Sequence, residues 1–314
     1  MNASREPTAE SQTDPTKSTS YYEASARTRI RLLLDAGSFV EFIGPEMREV
    51  SPHLQIFDLP EQFDDGIVVG RGKLQGAPVL VAAQEGRFMG GAFGEVHGAK
   101  LTGLLRAARD RKSMPVLILF DTGGVRLQEA NAGELAIAEI MRAVIEARTA
   151  GAQIIGLIGG RSGCYGGGGL IAGCCTALIV SEQGRIAVSG PEVIETNRGV
   201  EEFDSKDRAL VWRTMGGKHR LLLGGADVFV DDTIQAFRAA AAKQLGSPSG
   251  FDLQTLIAEQ ARLEDRLQRF GQCSDAVEIW KAEGLSDPND VPALPADQFI
   301  ALAKTVRRPS NGAR

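Results

Sequence analysis

Histidine is scarce, the cysteines are not spaced for metal or disulfide, and positive charge is in the minority in this 314-residue chain. The three histidines (His53, His97, His219) and four cysteines (Cys164, Cys174, Cys175, Cys273) show neither a C-x-x-C pair nor a His-ligand spacing. A zinc ribbon, a disulfide framework and a histidine-based metal centre are therefore not indicated, and no metal is expected. The cysteines read as reduced, mostly buried thiols of a cytoplasmic protein. Lys and Arg total 35 against 40 Asp and Glu, a formal net charge of −5, which gives no broad basic surface for nucleic acid or an anionic membrane. No stretch approaches the roughly 18 apolar residues that a membrane span needs, and the polar N-terminus MNASREPTAESQTDPTKSTS lacks the apolar core of a secretory signal.

Several motifs are missing too. Gly98-Ala99-Lys100 has an alanine where a phosphate loop needs none, and Gly217-Lys218 is followed by His219 rather than Ser or Thr. The G-x-S-x-G nucleophile elbow is absent, although Cys164 stays open as a nucleophile beside the blander reading of a packed thiol.

Glycine, by contrast, is abundant: 37 residues, against a usual share of about 7%. The excess is spread along the chain and clusters at two similar events. In PVLILF-DTGG-VRLQEANAG and again in AQIIGLIG-GRSGCYGG-GGLIAGCC, an apolar strand ends, a glycine-rich turn follows, and a helix begins. Glycine there allows close helix–strand packing, or lets a ligand atom approach backbone N–H groups that have no partner. Two such turns brought together would offer paired donors to a phosphate or to an oxyanion developing on a carbonyl.

The pattern between these points is α/β. An amphipathic helix opens ASARTRIRLLLDAGSFVEF (24–42) and ends at Gly37. GIVVGRGKL (66–74) and APVLVAAQE (77–85) read as paired strands around Gln75-Gly76. A helix is expected over 91–112, a buried strand at 115–120, a helix over 131–149 and a buried strand at 152–159. ALIVS (177–181), RIAVS (185–189) and DVFVDD (227–232) supply further strands, and helices follow over 232–245 and 252–271. Residues 1–20 read as a disordered tail, 21–250 as the main domain, GSPSG (246–250) as a linker and 251–314 as a helical extension with a frayed end.

At this point the residues resemble a known family. DTGGVRLQEA (121–130), RFMGGAFGEVHGAK (87–100), CYGGGGLIAGCCTALIVSEQGRIAVSGPEVIE (164–195) and GADVFVDD (225–232) are similar to the motifs of the carboxyltransferase subunits of acyl-CoA carboxylases, over roughly residues 24–240. No cysteine precedes Cys164, so the N-terminal zinc module of one branch is missing, and no A-M-K-M biotin site occurs. The opening helix and GVEEFDSKDRALVWRTMGGKHR (199–220) are most similar to the beta subunits of biotin-independent malonate decarboxylases.

The resemblance implies a crotonase (ClpP-like) spiral of strand–strand–helix repeats. It implies that a malonyl thioester on an acyl-carrier subunit becomes an acetyl thioester and CO2, with the thioester oxygen held by backbone N–H groups at Val125, just after Gly123-Gly124, and at Gly166 or Gly167; a biotin-dependent acyl-CoA carboxyltransferase beta subunit and a non-catalytic scaffold half of such a complex are the alternatives. Thr122 and Val125 depart mildly from the usual Ser and Ala. Tyr165 and Glu129 lie close in sequence to these donors. Arg87, Lys100, Arg126 and Arg161 are candidates to steer the carrier's anionic arm, with Phe88, Met89, Gly90 and Gly91 along its path. That arm, a phosphopantetheine-type group derived from dephospho-CoA, belongs to the carrier; no cofactor and no biotin are expected on this chain. The implied partners are a gamma subunit that completes the site, the carrier subunit and an acyltransferase alpha subunit.

Overall fold

A computed structural model describes residues 19–111, 114–247 and 251–306. Nearly all of the expected N-terminal tail, residues 248–250 of the expected linker and residues 307–314 of the expected frayed end lie outside the described residues.

Seven strands form one sheet: β1 (Val40–Glu41), β2 (Ile67–Leu74), β3 (Ala77–Gln84), β4 (Val116–Phe120), β5 (Ile154–Ile158), β7 (Ala177–Ser181) and β9 (Val228–Val230), hydrogen-bonded in that order. Two short strands, β6 (Cys164–Tyr165) and β8 (Ile186–Ala187), pair in parallel outside it. β2 and β3 are antiparallel around Gln75 and Gly76, both with positive φ, the conformation that a two-residue hairpin loop requires. From β3 onward the large sheet is parallel, so each new strand needs a crossover.

The crossovers are helical. β3 leads to α3 (Glu95–Asp110), β4 to α4 (Asn131–Thr149) and β6 to α5 (Gly167–Gly173), while the last strand, β9, is followed by α9 (Ile234–Gln244), which packs back on the sheet. α1 (Ala26–Leu33) precedes the sheet, and the short α2 (Pro52–Ile56) lies between β1 and β2. Helices cover both faces, which is why the central strands read as continuous apolar runs. Val116, Ile118 and Phe120 face the core under α3, α4 and α5, while Leu117 and Leu119 face the core under α1 and α9. Such repeats, each turn adding one strand to the sheet, form the expected spiral.

Three departures from the sequence expectation have physical reasons. The helix expected from residue 91 starts at Glu95, because Met89, Gly90 and Gly91 all have positive φ and turn the chain before it. RIAVS contributes only the two residues of β8. Three helices fill 191–222 that apolar periodicity did not mark: α6 (Pro191–Arg198), α7 (Arg208–Met215) and α8 (Gly217–Leu222). They are short, and each begins with a local device, Pro191 in the first turn of α6, the Asp207 carboxylate on the Leu210 N–H, and a helix-permissive Gly216.

The C-terminal extension consists of α10 (Leu253–Phe270), α11 (Ala276–Ala282) and α12 (Ala296–Val306). It is not independent of the main domain: Trp280, Val291, Phe299 and Ala303 join the core beneath α3–α5, and Lys218 Nζ donates to the carbonyls of Pro292 and Leu294 at 2.8 Å each. Among the described residues no helix is long and apolar enough to cross a membrane.

Candidate functional site

The glycine-rich turn after β4 and the one after β5 lie side by side. Thr122 N–H donates to the Gly163 carbonyl at 2.8 Å, and Tyr165 N–H to the Thr122 carbonyl at 3.0 Å. Beyond this bridge Gly124 and Gly166 come into contact: a Cβ built on Gly166 would stand 3.2 Å from the Gly124 Cα. Gly166 has φ 56, in the left-handed region that favours glycine. The Thr122 hydroxyl accepts the Gly124 N–H at 3.1 Å and closes the first turn.

A third segment joins them, and it is the RFMGG motif. Gly123 N–H donates to the Gly90 carbonyl at 2.8 Å, and Phe93 pairs with Val125 through Phe93 N–H to Gly124 (2.8 Å) and Arg126 N–H to Phe93 (2.9 Å). A Cβ on Gly91 would fall 1.7 Å from the Asp121 carbonyl oxygen, so only glycine permits this approach. Phe88, buried, carries the Arg126 guanidinium 5.3 Å from its ring centre, and Met89 is half-buried beside the exposed Gly90.

Few N–H groups in this cluster remain unused. The Phe93–Val125 pairing engages the neighbours of Val125 and leaves the Val125 N–H with no acceptor among the described residues. The ladder that pairs Tyr165 with Ala187 directs the Gly166 N–H to the Ala187 carbonyl. Gly167 is the first residue of α5, so its N–H has no intrahelical acceptor. Of the two glycines considered at the second turn, Gly167 therefore has the available donor.

Asp121, at the end of β4, ties the turns together. Its carboxylate accepts the Ser162 N–H of the second turn at 2.6 Å and the Arg29 Nη1 of α1 at 2.8 Å, in a pair almost fully buried. Its own N–H donates to Gln84 Oε1 at 3.2 Å. Sequence reasoning missed Asp121, Arg29 and Gln84 as organisers. The available signal was a carboxylate at the end of a wholly apolar strand, directly before Gly-Gly.

The four candidate cations separate into two pairs. Arg126 is fully buried, donating to Asp65 (2.9 Å to each carboxylate oxygen) and Glu129 (2.9 Å). Lys100 Nζ is buried on the Asp64 carbonyl at 2.7 Å, and burial lowers its pKa. Neither presents a free cation at the surface of this chain. Arg87 and Arg161 do reach solvent, and both meet Glu23: Arg87 Nη2 on its carbonyl at 2.8 Å, Arg161 Nη2 on its carboxylate at 2.7 Å.

Glu129 holds the start of α3 by accepting the Glu95 N–H at 2.5 Å while paired to Arg126. His97, beneath them, donates from Nδ1 to the Asp65 carbonyl (3.1 Å) and accepts the Gln84 amide at Nε2 (3.1 Å). Those partners fix the neutral tautomer, and burial holds its pKa well below the ordinary value. Burial pushes the Cys164 thiol well above its ordinary value of 9.0, and the side chain is wholly enclosed, which removes it as a nucleophile. Tyr165 points into a small cluster with Val211 and Met215; its hydroxyl is buried without a partner and its pKa is raised, chiefly by desolvation.

A family model for the carboxyl transferase domain matches residues 23–236. The chain belongs to the carboxyl transferase family. It is 38% identical over 309 residues to the malonyl-S-ACP:biotin-protein carboxyltransferase MADC of Malonomonas rubra, covering 92% of this chain and 96% of that protein. Among solved structures it is similar to a Pseudomonas malonate decarboxylase hetero-tetramer in complex with malonate (TM-score 0.77, 38% identity, 84% of this chain and 97% of the other). It is also similar to the Pseudomonas malonate decarboxylase MdcD-MdcE hetero-dimer (TM-score 0.63, 36% identity, 81% and 97%). The motif resemblance, and the crotonase-like fold it implied, are borne out by these similarities. Carboxyl transferase subunits of this kind are enzymes that work in complexes with other subunits.

Proposed function

We propose that this chain is the malonate decarboxylase subunit that turns a malonyl thioester, carried by an acyl-carrier subunit, into an acetyl thioester and CO2. The observation that carries this reading is the contact between the two glycine turns, with the Val125 and Gly167 N–H groups unused beside it. When the bond between the carboxylate and the α-carbon breaks, its electron pair delocalises onto the thioester oxygen and CO2 leaves. No C–H proton need be removed first, so the scarcity of histidine is no obstacle. The barrier lies in accumulating charge on that oxygen, and two fixed donors lower it; one such donor contributes about 2.7–4 kcal/mol. The enolate carbon then takes a proton and yields the acetyl thioester.

Arg87 and Arg161 are the exposed cations placed to guide the anionic arm, and Gly90 lines its approach. The arm comes from the carrier and not from this chain. A gamma-type partner subunit closes the other side. Leu127 is 87% exposed and Leu135 65%, with Leu170 and Val188 also exposed on segments that flank the two turns. An apolar rim around a catalytic opening suits burial against another subunit. An acyltransferase subunit reloads the carrier.

The Malonomonas relative's name supports a second reading, transfer of the carboxyl group to a biotin protein. Mixing this chain with its partner and malonyl-loaded carrier, and measuring CO2 with and without avidin, separates the two. Direct decarboxylation predicts release unaffected by avidin; avidin-sensitive release would establish the biotin route instead.

A further inference from the structure

The helix α10 lies against the body the wrong way round. A surface helix ordinarily turns its apolar stripe inward. Here Thr255, Glu259, Arg262 and Arg266 are half-buried, while Leu253, Leu256, Ile257, Leu263 and Leu267 are exposed. No residue of α10 is buried. Between this helix and the ends of α4 and α5 runs a cleft of about 410 Å³, within the size range of small-molecule sites.

Its walls combine apolar surface with an excess of positive charge. Ile145, Leu178 and Ile186 form the floor, with Leu256 and Leu263 at the rim. Arg148, Arg220 and Arg262 line it against a single carboxylate, Glu259, which is held by Arg262 at 2.7 Å. Arg148 is turned partly away, donating to the Cys174 carbonyl at 2.8 Å. Arg220 is the anomaly. Its Nε is buried with no hydrogen-bond partner, and no carboxylate forms an ion pair with it among the described residues. Burial and the nearby Arg266 lower its pKa to about 10, so it stays charged at neutral pH. Arg220 as a whole is half-buried, and a partly desolvated cation without a carboxylate beside it is a receptor for an anion that enters the cleft.

We propose that this cleft binds a small organic anion with an apolar body, its carboxylate or phosphate head received by Arg220 and its body by the floor and rim. The cleft contains neither Val125 nor Gly167, lying instead along Gly169 and Gly173 on α5. The site is therefore separate from the proposed decarboxylation centre and does not depend on that assignment.

Calorimetric titration of the complex of this chain with its partner tests the proposal, using octanoate and octyl phosphate as probes and octylamine and inorganic phosphate as controls. One of the two octyl anions is expected to bind saturably, one per copy of this chain, at least tenfold tighter than either control. Preference for octanoate would identify a carboxylate ligand, and preference for octyl phosphate a phosphate ligand. Arg220→Met is expected to weaken binding at least tenfold without lowering the melting temperature of the ligand-free complex, since the half-buried guanidinium it removes has no carboxylate partner to lose. Leu263→Asp, at the exposed rim, should weaken binding without loss of folding. Equal affinity in wild type and Arg220→Met, absence of saturable binding, or binding of either control as tight as the octyl anions would overturn the proposal.

Discussion

At the residue scale, two small facts govern the site: Gly166 occupies the left-handed region, and its hydrogen faces Gly124. A β-branched side chain there meets both strain and the Gly124 Cα at 3.2 Å. Gly166→Val is expected to push the turns apart and misalign the Gly167 N–H. Turnover should fall by roughly 10²–10³-fold, the typical effect of losing one such donor. KM for the loaded carrier should change little, and co-elution with the partner subunit should persist; steady-state kinetics and gel filtration read out the two. Asp121 acts differently, by positioning. Asp121→Ala frees the Ser162 N–H and leaves Arg29 charged and buried, a loss expected to cost about 3–5 kcal/mol. Urea unfolding would measure it, with Asp121→Asn expected to lose clearly less because its amide oxygen can still accept.

At the scale of elements, legibility followed burial. β4, β5 and β7 were readable because both faces of each strand are covered, which makes the run apolar without interruption. α4 was readable because its apolar period is regular over 131–149. The segment 191–222 was not, since α6–α8 are short and defined by caps and turns rather than by a long apolar stripe. The two turns of the candidate site were readable as glycine-rich strand exits, but not their convergence, which rests on parallel pairing between residues about forty positions apart, Thr122 and Cys164. Nor was the fate of the cations: Arg126 and Lys100 sit beside the motifs in sequence, yet Asp65 and the Asp64 carbonyl draw them inward. The exposed leucines beside the turns yield a prediction at this scale. Leu127→Asp combined with Leu135→Asp should leave the chain folded by circular dichroism but abolish co-purification with its partner subunit. Retained assembly would remove this rim from the interface.

For the whole molecule, the buried histidines set a pH dependence. His97 is held well below its ordinary pKa, and His219, packed near Trp280, is lowered to about 3, both mainly by desolvation. In the unfolded chain each takes a proton below about pH 6.5, which the folded protein cannot match. Stability is therefore full above that pH and is lost as the pH falls, by up to ~1.4 kcal/mol per pH unit for each histidine. Urea midpoints measured from pH 7 to pH 5 should decline, and His219→Phe should flatten the decline by about half. A pH-independent midpoint would contradict the neutral burial of these rings. Function at this scale was legible as a family, through motifs spread over two thirds of the chain, because close backbone approaches such as Gly91 against the Asp121 carbonyl admit only glycine and so leave their record in the sequence.

The most direct measurement is the infrared carbonyl stretch of a carrier-bound acetyl thioester, labelled with ¹³C at the carbonyl, in the complex of this chain with its partner. Two converging N–H donors predict a shift to lower frequency relative to the free carrier, lost in Gly166→Val. An unshifted band in the wild-type complex would contradict the assignment of Val125 and Gly167 as the donors.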